Sequence, residues 1–271
     1  MTIAARPAAP ADLISNIEHI AFDTDAGVGT RANIGLLVLR TDQTIEDEFR
    51  LAVPEGVALY GARLPSPVEI TPDNLRRMEA DIPGAVRLLP DVAFDAIGFG
   101  CTSGALVIGE ETVAARVREE MPGVKVTDPV TAAVAAFAAL GRRRVALLTP
   151  YIATINHSLR AAFIERGLEI PVMGSFNEAD DNRVARITPE SIEKAIMEVG
   201  ASDACEAVFI SCTSLRVARI AEKVEARLGK PVTSSNHAMA WHLLRLAGYD
   251  EAIDGLGELY RTPMKEAANP G

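Results

Sequence analysis

The chain has 271 residues, 48% of them hydrophobic and 24% charged, with a net charge of −10. That length can bury a sizeable core and suits two modest α/β domains. The acidic balance disfavours nucleic acid or an anionic membrane as partner, and three cysteines give no plausible disulfide framework, which suits a reducing cytoplasm.

In chain order, residues 1–30 contain Asp12, Glu18 and Asp23 and lack the apolar core of a signal peptide. They read as an N-terminal arm, placed to touch a second copy in a homodimer or higher homo-oligomer. Ile34-Gly35-Leu36-Leu37-Val38 follows as a buried strand, and 44–51 as a helix. Ile70-Thr71-Pro72-Asp73 reads as a helix start, with Thr as N-cap, Pro in the first turn and the acid facing the positive end of the helix dipole. A strand at 94–97 leads into Gly98-Phe99-Gly100-Cys101-Thr102-Ser103 and then a helix. Val126-Thr127 precedes an Ala-rich helix ending at Leu140-Gly141, too short to span a bilayer. The run Arg142-Arg143-Arg144 opens the next strand and reads as a solvated edge.

The second half repeats these landmarks in order. Val145-Ala146-Leu147-Leu148-Thr149 echoes the first strand, and Ile187-Thr188-Pro189-Glu190 the capped helix start, continuing as a helix over 191–199. The strand at 207–210 leads into Ser211-Cys212-Thr213-Ser214 and then a helix, and Val232-Thr233 precedes a helix ending at Ala247-Gly248. The copies lie 111, 117, 111 and 106 residues apart, a scatter that loop-length changes produce. Four matches in sequence order predict two similar halves.

Alternating strands and helices predict two parallel-sheet, three-layer α/β domains, because parallel strands need crossovers. Ligands of such sheets sit beyond the carboxyl ends of strands, where both cysteines fall. A pseudo-two-fold axis would place Cys101 and Cys212 across one cleft, the predicted active site.

A cysteine at a helix start meets unpaired N–H groups that favour the thiolate. Thr102, Ser103, Thr213 and Ser214 add donors for a substrate carboxylate, and small Gly100 and Ser211 permit close approach by a ligand. One thiolate and one thiol on opposite faces of a carbon can invert it without a cofactor. A thiolate can also add to an activated double bond and allow rotation, and a single thiol could protonate a carbanion left by decarboxylation. A cysteine taken alone is more often a packing hydrophobe, and Cys205, which has no repeat partner, keeps that reading. The cysteines lack C-x-x-C partners, so neither a structural zinc nor a redox pair is expected, and no metal or cofactor is assigned. No nucleophile elbow, P-loop or convincing dinucleotide fingerprint is present. His19 and His242 read as structural, while His237 stands near the rim of the expected site.

Taken together, Gly100-Cys101-Thr102-Ser103, Thr149-Pro150-Tyr151, Ser211-Cys212-Thr213-Ser214-Leu215 and Pro231-Val232-Thr233-Ser234-Ser235-Asn236-His237-Ala238 with Trp241 resemble the aspartate/glutamate racemase superfamily. The closer resemblance is to its branch of maleate cis-trans isomerase, arylmalonate decarboxylase and ectoine-utilisation protein A. It covers nearly the whole chain after the arm. It implies a cofactor-independent enzyme with one cysteine from each domain flanking a small carboxylate substrate. By the same resemblance Tyr151 and Asn182 would contact substrate.

Asp42 stands where maleate isomerases carry an asparagine for a substrate carboxylate. An acid there suits an ammonium, amide or hydroxyl, although Asp42 also reads as an N-cap for the helix at 44–51. Retention of both cysteines argues against pure decarboxylation, and Ser214 departs from the dedicated amino-acid racemases. The expected domains are an arm (1–30), a first domain (31–130 with 237–271) and a second (131–236). The expected activity is racemisation or epimerisation of an amino-acid-like carboxylate, an ectoine-derived amino acid among the candidates. Cys101 and Cys212 would be the acid/base pair, with Asp42, Thr102, Ser103, Tyr151, Asn182, Thr213 and Ser214 orienting the substrate. The alternatives are maleate-type isomerisation through a cysteine nucleophile and a two-lobe binding protein without chemistry.

Overall fold

A computed structural model describes residues 19–69 and 71–264. The first half runs β1 (Ala32–Leu39), α1 (Ile45–Ala52), β2 (Val57–Leu64), α2 (Pro72–Arg77), α3 (Ile82–Val86), β3 (Ala96–Gly100), α4 (Thr102–Ile108), α5 (Glu110–Arg118), β4 (Lys125–Thr127) and α6 (Pro129–Leu140). The second runs β5 (Val145–Thr149), α7 (Ala153–Glu165), β6 (Met173–Ser175), α8 (Asp181–Val184), α9 (Pro189–Gly200), β7 (Ala207–Ile210), α10 (Ala221–Leu228), β8 (Val232–Ser234) and α11 (Ser235–Leu246).

Each half builds a four-stranded parallel sheet, ordered β2-β1-β3-β4 and β6-β5-β7-β8. The central strands β1, β3, β5 and β7 are apolar and almost wholly buried, as helices on both faces require. In the second sheet Val208 meets the α9 side, where its methyl lies 2.8 Å from a Cβ placed on Gly200. The next residue, Phe209, points to the other face by strand alternation. There it receives the rings of Phe137 from α6 and Phe163 from α7 edge-on, at 6.0 and 5.4 Å.

The last helix of each half crosses to the other sheet. α6 follows β4 yet packs on Phe209 of β7. α11 follows β8 yet packs on β3, β4 and α1. Gly98 on β3 allows that approach, since a Cβ there would meet Leu243 Cδ1 at 2.9 Å. The two α/β domains are therefore interlocked, and α6 and α11 pack against each other at the crossing.

Local signals act where the sequence places them. Thr71 Oγ1 accepts from Asn74 N and Thr188 Oγ1 from Ser191 N, capping α2 and α9. Gly141 closes α6 with φ 67°, which a residue without Cβ adopts freely. One expectation fails: no helix follows Cys212 directly, and α10 begins only at Ala221. The Glu48 carboxylate, from the first domain, takes the N–H groups of Val217 and Ala218 at 2.9 Å each. The Ser214 hydroxyl is drawn to Asp181, so residues 213–220 form turns.

Of the arm, residues 1–18 lie outside the described residues. Residues 19–28 are exposed, including Ile20, Phe22 and Val28. No helix among the described residues is long and apolar enough to cross a membrane.

Candidate active site

In an order such as β2-β1-β3-β4 the strands are added outward in one sense before β1 and in the other after it, so a crevice opens beyond the carboxyl ends of β1 and β3. Both sheets turn that edge toward the same cavity, with about 410 Å³ of empty space once its mouth open to solvent is included. From the first domain come Leu39 at the end of β1 and Thr41 beyond it, Ser66, Pro67 and Glu69 after β2, Asn74, Leu75 and Met78 around α2, and Cys101, Thr102 and Ser103 after β3. From the second come Tyr151 after β5, Asp181 at the start of α8, and Cys212 and Thr213 after β7. The two thiols thus line one cavity from opposite domains.

Cys101 is the N-cap of α4, its Sγ accepting from Gly104 N at 3.1 Å, with Ser103 Oγ at 3.7 Å. Cys212 has φ 121°, a conformation rarely adopted by a residue with a side chain. Its N–H donates to Ser235 Oγ at 3.0 Å, and its Sγ accepts from Ser214 N at 3.4 Å.

Burial, not the helix start, dominates the thiol chemistry, and the expectation of an easily formed thiolate is corrected. Desolvation pushes Cys101 up to about 12, against the pull of the Gly104 N–H and Ser103 hydroxyl. It pushes Cys212 well above its ordinary value too, and the nearby charges of Asp181 and Asp42 add to the effect at both sulfurs. Tyr151 is buried beside both thiols, and its hydroxyl faces Cys212; burial first, then the thiols' charges, holds its proton on.

Three expected substrate contacts lie elsewhere. Asp42 is buried and does not line the cavity; its Oδ1 accepts from Thr44 N and Ile45 N at 2.8 and 2.9 Å, which turns the chain into α1 from two residues ahead of the N-cap residue, Thr44. Asn182 Oδ1 accepts from Gln43 Nε2 at 2.8 Å, joining the domains outside the cavity. Ser214 does not line it either and donates to Asp181 Oδ1 at 2.7 Å. Gly100 is small for a packing reason, because a Cβ would meet Ile45 Cδ1 at 2.8 Å and Leu37 O at 2.9 Å. His237 points away into the core, hydrogen-bonded to Thr233 Oγ1, and burial lowers it to about 4.

The residues that sequence reasoning missed are Asp181, Glu69, Thr41, Ser66 and Asn74, all on loops or short helices without periodicity. Two of them had a neighbouring signal, Asp181 one position before Asn182 and Thr41 one position before Asp42. Among the described residues, the lining holds two acids, Glu69 and Asp181, and no lysine, arginine or histidine. No cluster of three potential metal ligands occurs among the described residues.

Comparison with known proteins fits this geometry. The family model for arylmalonate decarboxylase matches residues 109–260. An arylmalonate decarboxylase from Bordetella bronchiseptica is 32% identical over 209 residues, covering 76% of this chain and 80% of the relative. A maleate isomerase from Nocardia farcinica is 26% identical over 238 residues, covering 84% and 95%. The structure of a Nocardia farcinica maleate cis-trans isomerase mutant with a covalently bound succinylcysteine intermediate superposes with TM-score 0.77 at 26% identity, covering 85% of this chain and 98% of that one. A maleate isomerase from Pseudomonas putida S16 shares the fold at TM-score 0.78 and 22% identity, covering 87% and 99%.

Proposed function

The chain belongs to the arylmalonate decarboxylase family, and from that premise we propose that it is a cofactor-independent racemase or epimerase of a small amino-acid-like carboxylate. The observation that carries the reading is the set of groups in the cavity: two thiols from opposite domains, an aspartate between the lobes, and no cationic side chain among the described lining residues. A dicarboxylate would bring its second anion toward Asp181 in a partly desolvated space, which is repulsive. An ammonium group would be attracted there. Glu69 at the exposed rim supplies a second acid, so a diamino acid, including an ectoine-derived one, belongs among the substrates to test.

In the reaction one cysteine is a thiolate and the other a thiol. The thiolate takes the α-proton, and the C–H electron pair stays on carbon, delocalised into the substrate carboxylate. The opposite thiol then gives its proton to the other face and becomes the thiolate, so protons and charge balance and the roles reverse in the return direction. Thr102, Ser103 and Thr213 offer hydroxyl and backbone donors to the carboxylate as its negative charge grows. The raised thiol values serve this chemistry, because a more basic thiolate is a stronger acceptor for a carbon-bound proton. A substrate ammonium beside Asp181 cancels part of the field that suppresses both thiolates, so the base is formed when substrate is bound.

A second reading is favoured by Tyr151 facing Cys212 and by the strained backbone at Cys212. In it Cys212 adds to the double bond of a maleate-like diacid, the chain rotates about the resulting single bond, and the thiolate leaves. Incubating free and N-acylated amino acids, diamino acids and maleate with enzyme in deuterated water separates the two. Racemisation exchanges the α-proton for solvent deuterium and scrambles the stereocentre, whereas addition and elimination can convert maleate without incorporating deuterium. Turnover of maleate alone, with no deuterium in any amino acid, would reject the racemase.

A further inference from the structure

We propose that Ser235, which lies outside the cavity, is a positioning residue that holds the two cysteine phrases in one register. It occupies the point where the chain leaves β8 of the second sheet and starts α11, which packs on the first. Its neighbour Ser234 caps that helix by accepting from His237 N at 3.2 Å, which leaves the Ser235 hydroxyl for other partners. Ser235 is fully buried. Its Oγ lies 3.0 Å from Cys212 N and 2.8 Å from Thr102 Oγ1, the residue after Cys101. One hydroxyl therefore touches both phrases.

The direction of the chain follows from what each group can do. An N–H can only donate, so Ser235 Oγ accepts from Cys212. Either hydroxyl could donate in the 2.8 Å pair with Thr102 Oγ1, and we take Ser235 as the donor, which gives its hydrogen a partner. The Thr102 hydroxyl keeps its own hydrogen for the cavity that it lines. The sequence Cys212 N–H to Ser235 to Thr102 to substrate aligns three dipoles, each strengthening the next. The following residue completes the grip, as Asn236 Nδ2 donates to Thr213 O at 2.7 Å. The first turn of α11 thus fixes the Cys212-Thr213 pair from both ends and sustains the unfavourable φ at Cys212. Ser235 acts through Thr102 as carboxylate donor and through Cys212 as base or nucleophile; this rests on both phrases facing one substrate.

The test has one arm that needs no substrate. Wild type and Ser235→Ala are alkylated with iodoacetamide and the rates at Cys101 and Cys212 read from peptide masses. Release of the Cys212 backbone should raise its rate relative to Cys101 about tenfold, the change expected for loss of one buried hydrogen bond. An unchanged ratio overturns the proposal. Should the alanine variant not fold, Ser235→Cys keeps the shape with a weak sulfur acceptor and must show the same shift in ratio. With a turned-over substrate, Thr102→Val, Ser235→Ala and the double variant form a cycle. Each single change should raise KM, the double no further than the worse single, and strictly additive losses overturn the relay. If no amino acid is a substrate, the proposed function falls while the alkylation ratio still decides the role of Ser235.

Discussion

Ser214 Oγ donates to Asp181 Oδ1 at 2.7 Å, so the serine two positions after Cys212 orients an acid that shares the cavity with both thiols. The bond ties the β7 phrase to α8 within the second domain. The aspartate also lines the cavity. The charge of Asp181 is felt at both sulfurs, which it makes harder to ionise.

Replacing Asp181 by Asn keeps an acceptor for Ser214 and removes the charge. If Asp181 binds an ammonium, KM for amino-acid substrates should rise about ten- to hundredfold, the worth of one charged hydrogen bond. Dicarboxylates should bind better to the same variant. Steady-state kinetics on both substrate classes checks this, and an unchanged KM for amino acids removes the ammonium assignment.

The architecture was legible because it rests on repeated local signals. Thr71 and Thr188 cap as their Thr-Pro-acid settings predict, and the apolar runs at β1, β5 and β7 can only be buried strands. The acid of the site was not legible. Asp42 and Asp181 are both aspartates near a helix start, and which one turns to its own backbone is decided by loop geometry. Asp42 is consumed by Thr44 N and Ile45 N, whereas Asp181 is left for Ser214 and the cavity. The missing helix after Cys212 has the same origin, since its competitor is Glu48 from the other domain, 169 residues away in sequence.

The thiol at Cys101 is pushed up to about 12 by burial, which fixes how it should react without ligand. Only the thiolate is alkylated, so the rate at Cys101 should climb about tenfold per pH unit from about pH 7 to about pH 10 without levelling off. Peptide-resolved iodoacetamide kinetics measures it. A plateau near the value of a free thiol, about 8.5, would show that the helix start outweighs desolvation.

At Gly100 a methyl group would collide with Ile45 Cδ1 and the Leu37 carbonyl, the second of which is strand backbone and cannot swing aside. Gly100→Ala should cost about 1–3 kcal/mol, as overpacking of a filled core does. Because Gly100 immediately precedes Cys101, kcat should fall as well. Thermal unfolding and turnover of the same sample check both, and wild-type stability would contradict the packing account.

Glu48 gives the fold a pH dependence of defined sign. Burial raises its carboxyl from 4.5 to about 7, against the pull of the Ala218 and Val217 N–H groups and of Arg219, while Asp47 beside it adds to the rise. Tyr260 also lies within its field. Between those two values the folded state holds a proton that the unfolded chain has released, so stability falls as pH rises through the window. Above it the fold carries a buried charge whose hydrogen-bond donors among the described residues are two backbone N–H groups. Glu48→Gln keeps a carbonyl oxygen for both donors and cannot ionise. Asp128, raised to about 6 by burial, contributes the same sign and remains in the variant. The buried His237 and His242, lowered to about 4, act with the opposite sign up to about pH 6.5 and are common to both proteins, so the melting temperature of Glu48→Gln relative to wild type should rise from about pH 5 to about pH 8. Equal slopes in the two proteins would mean that Glu48 is already ionised in the fold, and that the bonds it accepts from Val217 and Ala218 outweigh its desolvation.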